Sequence, residues 1–132
     1  MMDTTVVRDT IVVRDTAYLK TAMNPIQGYW AGTYKVAGNT VDSFWYSIDI
    51  LTNGTMITTA IGPTNNSTST AGPWQLNGTN FTGTLTYLSN GGPLLVQAVA
   101  ATYDSVNGIL SGTVNVTQGS GNNETFLLFR VD

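Results

Sequence analysis

The chain has 132 residues, enough for one domain with a real core. Only 10% of them are charged, the net charge is −3, and the five basic residues are spread along the chain; this excludes the basic footprint of a nucleic-acid binder or a polybasic membrane contact. With no His and no Cys, a Ser-His-Asp triad, a Cys nucleophile, a His-based metal site and a disulfide framework are all ruled out.

Residues 1–24 differ from the rest. Val6-Val7-Arg8-Asp9-Thr10 recurs as Val12-Val13-Arg14-Asp15-Thr16, and Arg8, Arg14 and Lys20 are three of the five basic residues. The even period returns equivalent side chains to one face of a strand, so the stretch predicts a strand-like N-terminal arm, closed by Pro25 and followed by a barrel domain over residues 25–132. Two readings stay open for it. Such Thr/Val/Asp repeats resemble the spacers that follow the lipidated Cys of bacterial surface lipoproteins, which implies a tether and a lipid anchor in the precursor. Alternatively the arm is a strand that pairs with a partner chain. Ordering about 20 residues costs roughly 20–40 kcal/mol of backbone entropy. Burying Val6, Val7, Ile11, Val12 and Val13 returns only about 8–15 kcal/mol. The arm cannot order alone, so the expectation is a homo-oligomer assembled by strand exchange through these five residues.

From Gly28 onward, strand-like runs alternate with turn signals at the spacing of an all-β protein. Strands are predicted near 28–37, 41–52, 54–62, 72–77, 79–88, 94–104, 109–117 and 124–131. The whole stretch from Gly62-Pro63 to Gly72-Pro73 reads as a separator. Asn53-Gly54, Asn77-Gly78 and Asn107-Gly108 are hairpin signals that predict type I′ turns. No segment of useful length shows a helical apolar period. Phe44, Tyr46, Ile48 and Ile50 alternate with polar or outward residues; Phe81, Gly83, Leu85 and Tyr87 do the same, as do Leu110, Gly112, Val114 and Val116. One face of each strand is therefore dry and the other wet. Purely local connections favour an antiparallel eight-stranded meander barrel, with a β-sandwich as the alternative.

Gly28-Tyr29-Trp30 opens the first of these strands, and Arg130 lies near the end of the last. This pairing resembles the lipocalin and wider calycin pattern, in which a Gly-x-Trp packs its indole against a basic residue from the end of the barrel. The chain departs from lipocalins at Thr102-Tyr103-Asp104, where they carry Thr-Asp-Tyr, and it lacks their C-terminal helix. The resemblance implies a small-molecule site in the barrel interior, with Trp30, Tyr34, Phe44, Tyr46, Phe81, Leu85 and Tyr87 as its chief candidate lining, and Leu110 and Val114 as further candidates. The same aromatic residues can equally fill a barrel of this size with no cavity left.

The remaining carboxylates beyond the arm are Asp42, Asp49, Asp104, Glu124 and Asp132. Their spacing brings no pair to one face for glycoside hydrolysis and makes no oxygen-rich cation loop. Asp42 and Asp104 read as turn residues, and Asp49 as facing water. No apolar run approaches the roughly 20 residues that span a bilayer as a helix. No signal peptide stands at Met1, and Met1-Met2-Asp3 reads as a boundary left after removal of a targeting segment. Asn53, Asn65, Asn66, Asn77, Asn80, Asn115 and Asn123 each open an Asn-x-Ser/Thr triplet, which reads either as an exported glycoprotein or as a by-product of an Asn- and Thr-rich composition. The expectation is a non-enzymatic, cofactor-free extracytoplasmic binding module for a small apolar ligand, secreted or at the cell surface. The alternative is a structural subunit that self-assembles through its N-terminal strand.

Overall fold

The computed structural model describes residues 26–38, 42–88 and 94–131. They form eight strands: β1 (Gly28–Val36), β2 (Phe44–Ile50), β3 (Thr55–Ile61), β4 (Ser67–Asn77), β5 (Asn80–Tyr87), β6 (Leu95–Asp104), β7 (Ile109–Gln118) and β8 (Glu124–Val131). Each pairs antiparallel with the next, and β8 returns to β1, with Trp30 opposite Arg130 and Tyr34 opposite Phe126. The sheet is thus one closed meander barrel rather than a sandwich, and each of the eight strands has a neighbour on both sides. The described residues contain no helix, and so none long and apolar enough to cross a membrane. The arm over residues 1–24, with Val6, Val7, Ile11, Val12 and Val13, lies outside the described residues.

The predicted alternation sets the inside of the barrel. Tyr46, Ile48 and Ile50 of β2, Phe81 and Leu85 of β5, Leu110 and Val114 of β7, and Phe126 and Leu128 of β8 are all buried. They pack with Ile26, Trp30, Tyr34, Met56, Val99, Ala101 and Tyr103 into one core. Removing each large apolar side chain from water contributes about 1.5–3 kcal/mol.

Two local expectations are corrected. The separator from residue 62 to 73 is mostly strand: β4 begins at Ser67 and pairs with β3 as far as Pro73 opposite Thr55. Its first residues, Ser67-Thr68-Ser69, are exposed and polar, so no apolar alternation marks them, although Thr suits a pleated surface. Pro73, without an N–H, falls just outside the β4–β5 ladder, which runs from Trp74 opposite Gly83 to Asn77 opposite Asn80. The second correction concerns the turns. The three Asn-Gly pairs do connect strands, but not as type I′, which needs positive φ at both central residues. Only the glycines are left-handed, with φ of 83° at Gly54, 65° at Gly78 and 67° at Gly108, and the only non-glycine residue with positive φ among those described is Asn65. Between Asp104 and Ile109 the Asp104 carboxylate holds the turn, accepting from the Val106 and Asn107 backbone N–H groups at 3.0 and 3.1 Å and from Asn107 Nδ2 at 2.8 Å. These bonds hold its pKa below the ordinary carboxylate value. Asp49 lies on the outer face, as expected, and is half-buried there.

Candidate functional site

The two ends of the barrel are built differently. At one end lie the β2–β3, β4–β5 and β6–β7 turns that carry the Asn-Gly pairs, together with the entry to β1. Here Trp30 is fully buried and donates from Nε1 to the Ile26 carbonyl at 2.9 Å. The Arg130 guanidinium lies over the indole, its carbon 4.6 Å from the ring centroid, and donates from Nη1 to the Gln27 carbonyl at 2.8 Å. Tyr103 meets the indole edge-on, with centroids 5.8 Å apart. Gly28 makes room for the arginine: its φ is 132°, and a Cβ there would sit 2.9 Å from Arg130 Nη1. Below this plug the barrel is filled by Ile48, Ile50, Met56, Phe81, Leu85, Leu110 and Leu128, all at most 2% exposed.

At the other end the barrel opens into a cavity of about 490 Å³. Its wall includes Tyr34 of β1, Tyr46 of β2, Ala60 of β3, Thr68 of β4, Tyr87 of β5, Gln97 of β6 and Glu124 of β8. The strands converge on it because alternate residues point inward, and the inward rows end here in tyrosines on β1, β2 and β5 and in small or polar residues on β3, β4 and β8. A register shift between Val96 and Gln97 in the β6–β7 ladder marks this rim, in keeping with bulges beside barrel sites.

The seven residues expected to line an interior site divide between the two ends. Tyr34, Tyr46 and Tyr87 line the cavity. Phe44 is half-buried behind it, its ring 5.6 Å from that of Tyr34. Trp30, Phe81 and Leu85 belong to the packed half and do not reach the cavity. The interior is therefore filled in one half and open in the other.

Sequence reasoning missed the polar part of the wall. Glu124 went unassigned, although it shares its parity with Phe126, Leu128 and Arg130 and that parity was readable. Burial pushes the Glu124 carboxyl up to about 7. Burial, with added repulsion from Glu124, raises the Tyr34, Tyr46 and Tyr87 phenols too. Thr58 sits beside the Tyr46 and Tyr87 hydroxyls and offsets part of that rise, yet its own hydroxyl donates to the Thr70 carbonyl at a long 3.5 Å. Tyr46 Oη is left buried without a hydrogen-bond partner.

No protein-family model, no curated protein and no solved structure matches this chain. The closed eight-stranded barrel and its Trp30–Arg130 plug are consistent with a calycin-like fold.

Proposed function

We propose that this chain is a non-catalytic, calycin-type binding barrel that works outside the cytoplasm and holds a small molecule with an apolar body in its open end. The observation that carries the reading is the contrast between halves. The interior of one half is occupied by large apolar side chains at most 2% exposed, whereas the other keeps a cavity of about 490 Å³ walled by three tyrosines, within the usual size of small-molecule sites. Filling it with side chains would have been easy in a barrel of this size. The seven Asn-x-Ser/Thr asparagines are all exposed, which supports an exported chain. Among the described residues the cavity wall holds one carboxylate and, in a chain without His or Cys, no nucleophile–base pair, which supports binding rather than turnover.

A thermal-shift screen with small apolar and amphipathic compounds tests this reading. Hits are expected to raise Tm in the wild type and to lose that effect in Ala60→Phe, which fills the cavity from β3. A Tm shift that persists in Ala60→Phe would place binding elsewhere.

A second reading, self-assembly as a structural subunit through the N-terminal arm, is supported by the outer surface. Tyr29 of β1, Trp45 of β2, Ile57 of β3, and Leu127, Phe129 and Val131 of β8 are 37 to 49% exposed. Neighbouring strands bring them together: Tyr29 pairs with Val131, and Ala31 with both Ser47 and Phe129. In contrast, the outer positions of β5 are Asn80, Thr82, Thr84 and Thr86. A contiguous apolar face of this kind marks an interaction surface, and in sequence the arm leads into β1, one of the strands that carry it. The arm of a neighbouring copy is the occupant on this reading. Mass in solution decides it: full-length chain should be oligomeric and chain lacking residues 1–22 monomeric, whereas an unchanged mass refutes it.

A further inference from the structure

Strand β8 turns Glu124, Phe126, Leu128 and Arg130 toward the barrel interior. It thus places two opposite charges on one face, six residues apart, at opposite ends of the barrel. Their surroundings differ. Arg130 is engaged by the Trp30 ring and the Gln27 carbonyl. Glu124 lines the cavity wall, and among the described residues neither a hydrogen-bond donor nor a cation answers it.

The groups that face Glu124 explain why. From β1, β2 and β5 come the Tyr34, Tyr46 and Tyr87 phenols; from β4 and β6 come Thr68 and Gln97; and Val114 is its partner on β7. Lys35, the nearest cation in sequence on β1, is exposed on the outer face, opposite Thr125. A half-buried carboxylate without a counter-charge is costly, and selection for stability alone would favour an uncharged residue here. Tyr46 adds a second unmet demand: it is 4% exposed, it lines the same cavity, and its Oη has no partner.

We infer that the open-end cavity takes a small organic cation, an ammonium group carried on an apolar aryl or alkyl body, which Glu124 pairs and the rings of Tyr34, Tyr46 and Tyr87 surround. The inference rests on the binding reading above and names the ligand class for that site. An ammonium supplies both missing elements, a positive charge for the carboxylate and an N–H donor for the unpartnered Tyr46 Oη, and the tyrosine ring faces attract the same cation. Its apolar body lies against Tyr34 and Tyr46, whose ring centroids are 5.8 Å apart, with Phe126 packed against Tyr46 at 5.5 Å. A neutral apolar molecule would bury Glu124 further with nothing to balance it, and a carboxylate ligand would be repelled.

Calorimetric titration of the full chain at pH 8 tests this with two matched pairs, phenethylammonium against 2-phenylethanol and hexylammonium against 1-hexanol. Each ammonium should bind at least about tenfold more tightly than its alcohol, the scale of one charge-assisted pair with cation–π contact. Glu124→Gln should erase that margin, weakening the ammonium ions and easing the penalty on the alcohols, and Glu124→Asp should keep part of it; circular dichroism confirms that both variants fold. The ammonium margin should also shrink below pH 7, as the carboxyl takes up its proton. Alcohols that bind as well as the ammonium ions, or a margin that survives Glu124→Gln, overturns the inference and leaves the binding reading standing. Absence of binding by all four compounds at millimolar concentration overturns both.

Discussion

The guanidinium carbon of Arg130 lies 4.6 Å from the centroid of the Trp30 indole, while Nη1 of the same group donates to the Gln27 carbonyl. One side chain from the last strand therefore fixes both the first strand and the segment that leads into it. Arg130→Met keeps most of the volume but loses the cation and its hydrogen bond, which should destabilise the barrel by about 1–3 kcal/mol. Arg130→Lys should fall between, since it keeps the charge without the planar fork. Urea unfolding at pH 7.5 measures both, and a Met variant as stable as the wild type would show that the pair clamps nothing.

Gly28 serves that clamp. A Cβ at this position would stand 2.9 Å from Arg130 Nη1 and would require a φ of 132° that side chains rarely adopt. Gly28→Ala should cost about 1–3 kcal/mol. The steric part should vanish in Gly28→Ala/Arg130→Met, so the double mutant should lose less than the sum of the single losses.

Tyr46 offers the opposite sign. Its Oη is buried and unpartnered, so Tyr46→Phe should leave stability unchanged or raise it by up to about 1 kcal/mol. Phe81→Ala, deep in the packed half, should cost about 3–5 kcal/mol. Chemical denaturation of the two variants side by side checks the contrast.

Stability should fall as pH rises through the range in which Glu124 ionises. Its carboxyl titrates near 7 in the folded chain, against an ordinary 4.5, so between these values the unfolded chain binds fewer protons and folding weakens with rising pH. The loss is complete above about pH 7. The lowered Asp104 carboxyl acts oppositely, adding stability above its ordinary 3.8 that is lost as pH falls further, so the two windows do not overlap. With no His in the chain, no unperturbed side chain titrates between pH 5 and 8. The urea midpoint should therefore be higher at pH 5 than at pH 8, and Glu124→Gln should flatten the difference. A midpoint that rises over this range would refute the assignment.

The outer apolar face makes a separate prediction. Leu127→Thr and Phe129→Thr leave the core untouched and should shift stability by less than about 0.5 kcal/mol each. If this face seats a neighbour's arm, both should lower the mass in solution at fixed concentration, as sedimentation velocity would show.

Alternation alone located most of the strands. Phe81 and Leu85, or Leu110 and Val114, announce a dry face because side chains two apart share it. The start of β4 escaped for the same reason: Ser67 to Ser69 bury nothing, so their pairing with Thr59 to Ile61 left no trace in hydropathy. Glu124 escaped differently, because a single charge in an apolar row is overlooked unless its parity is followed through Phe126, Leu128 and Arg130.

Local chemistry written in the chain was enough to determine that it forms sheet, which side chains each strand turns inward, and that turnover by a His or Cys residue is impossible. Which inward residues become plug and which become pocket was settled only by closure. Trp30 and Tyr87 share an inner face by parity, but their heights in the barrel follow from the register of eight successive ladders. That register puts Trp30 opposite Arg130 and sends Tyr34, Tyr46, Tyr87 and Glu124 to the open end. Those distances are set by pairing across the whole chain, which no local pattern encodes.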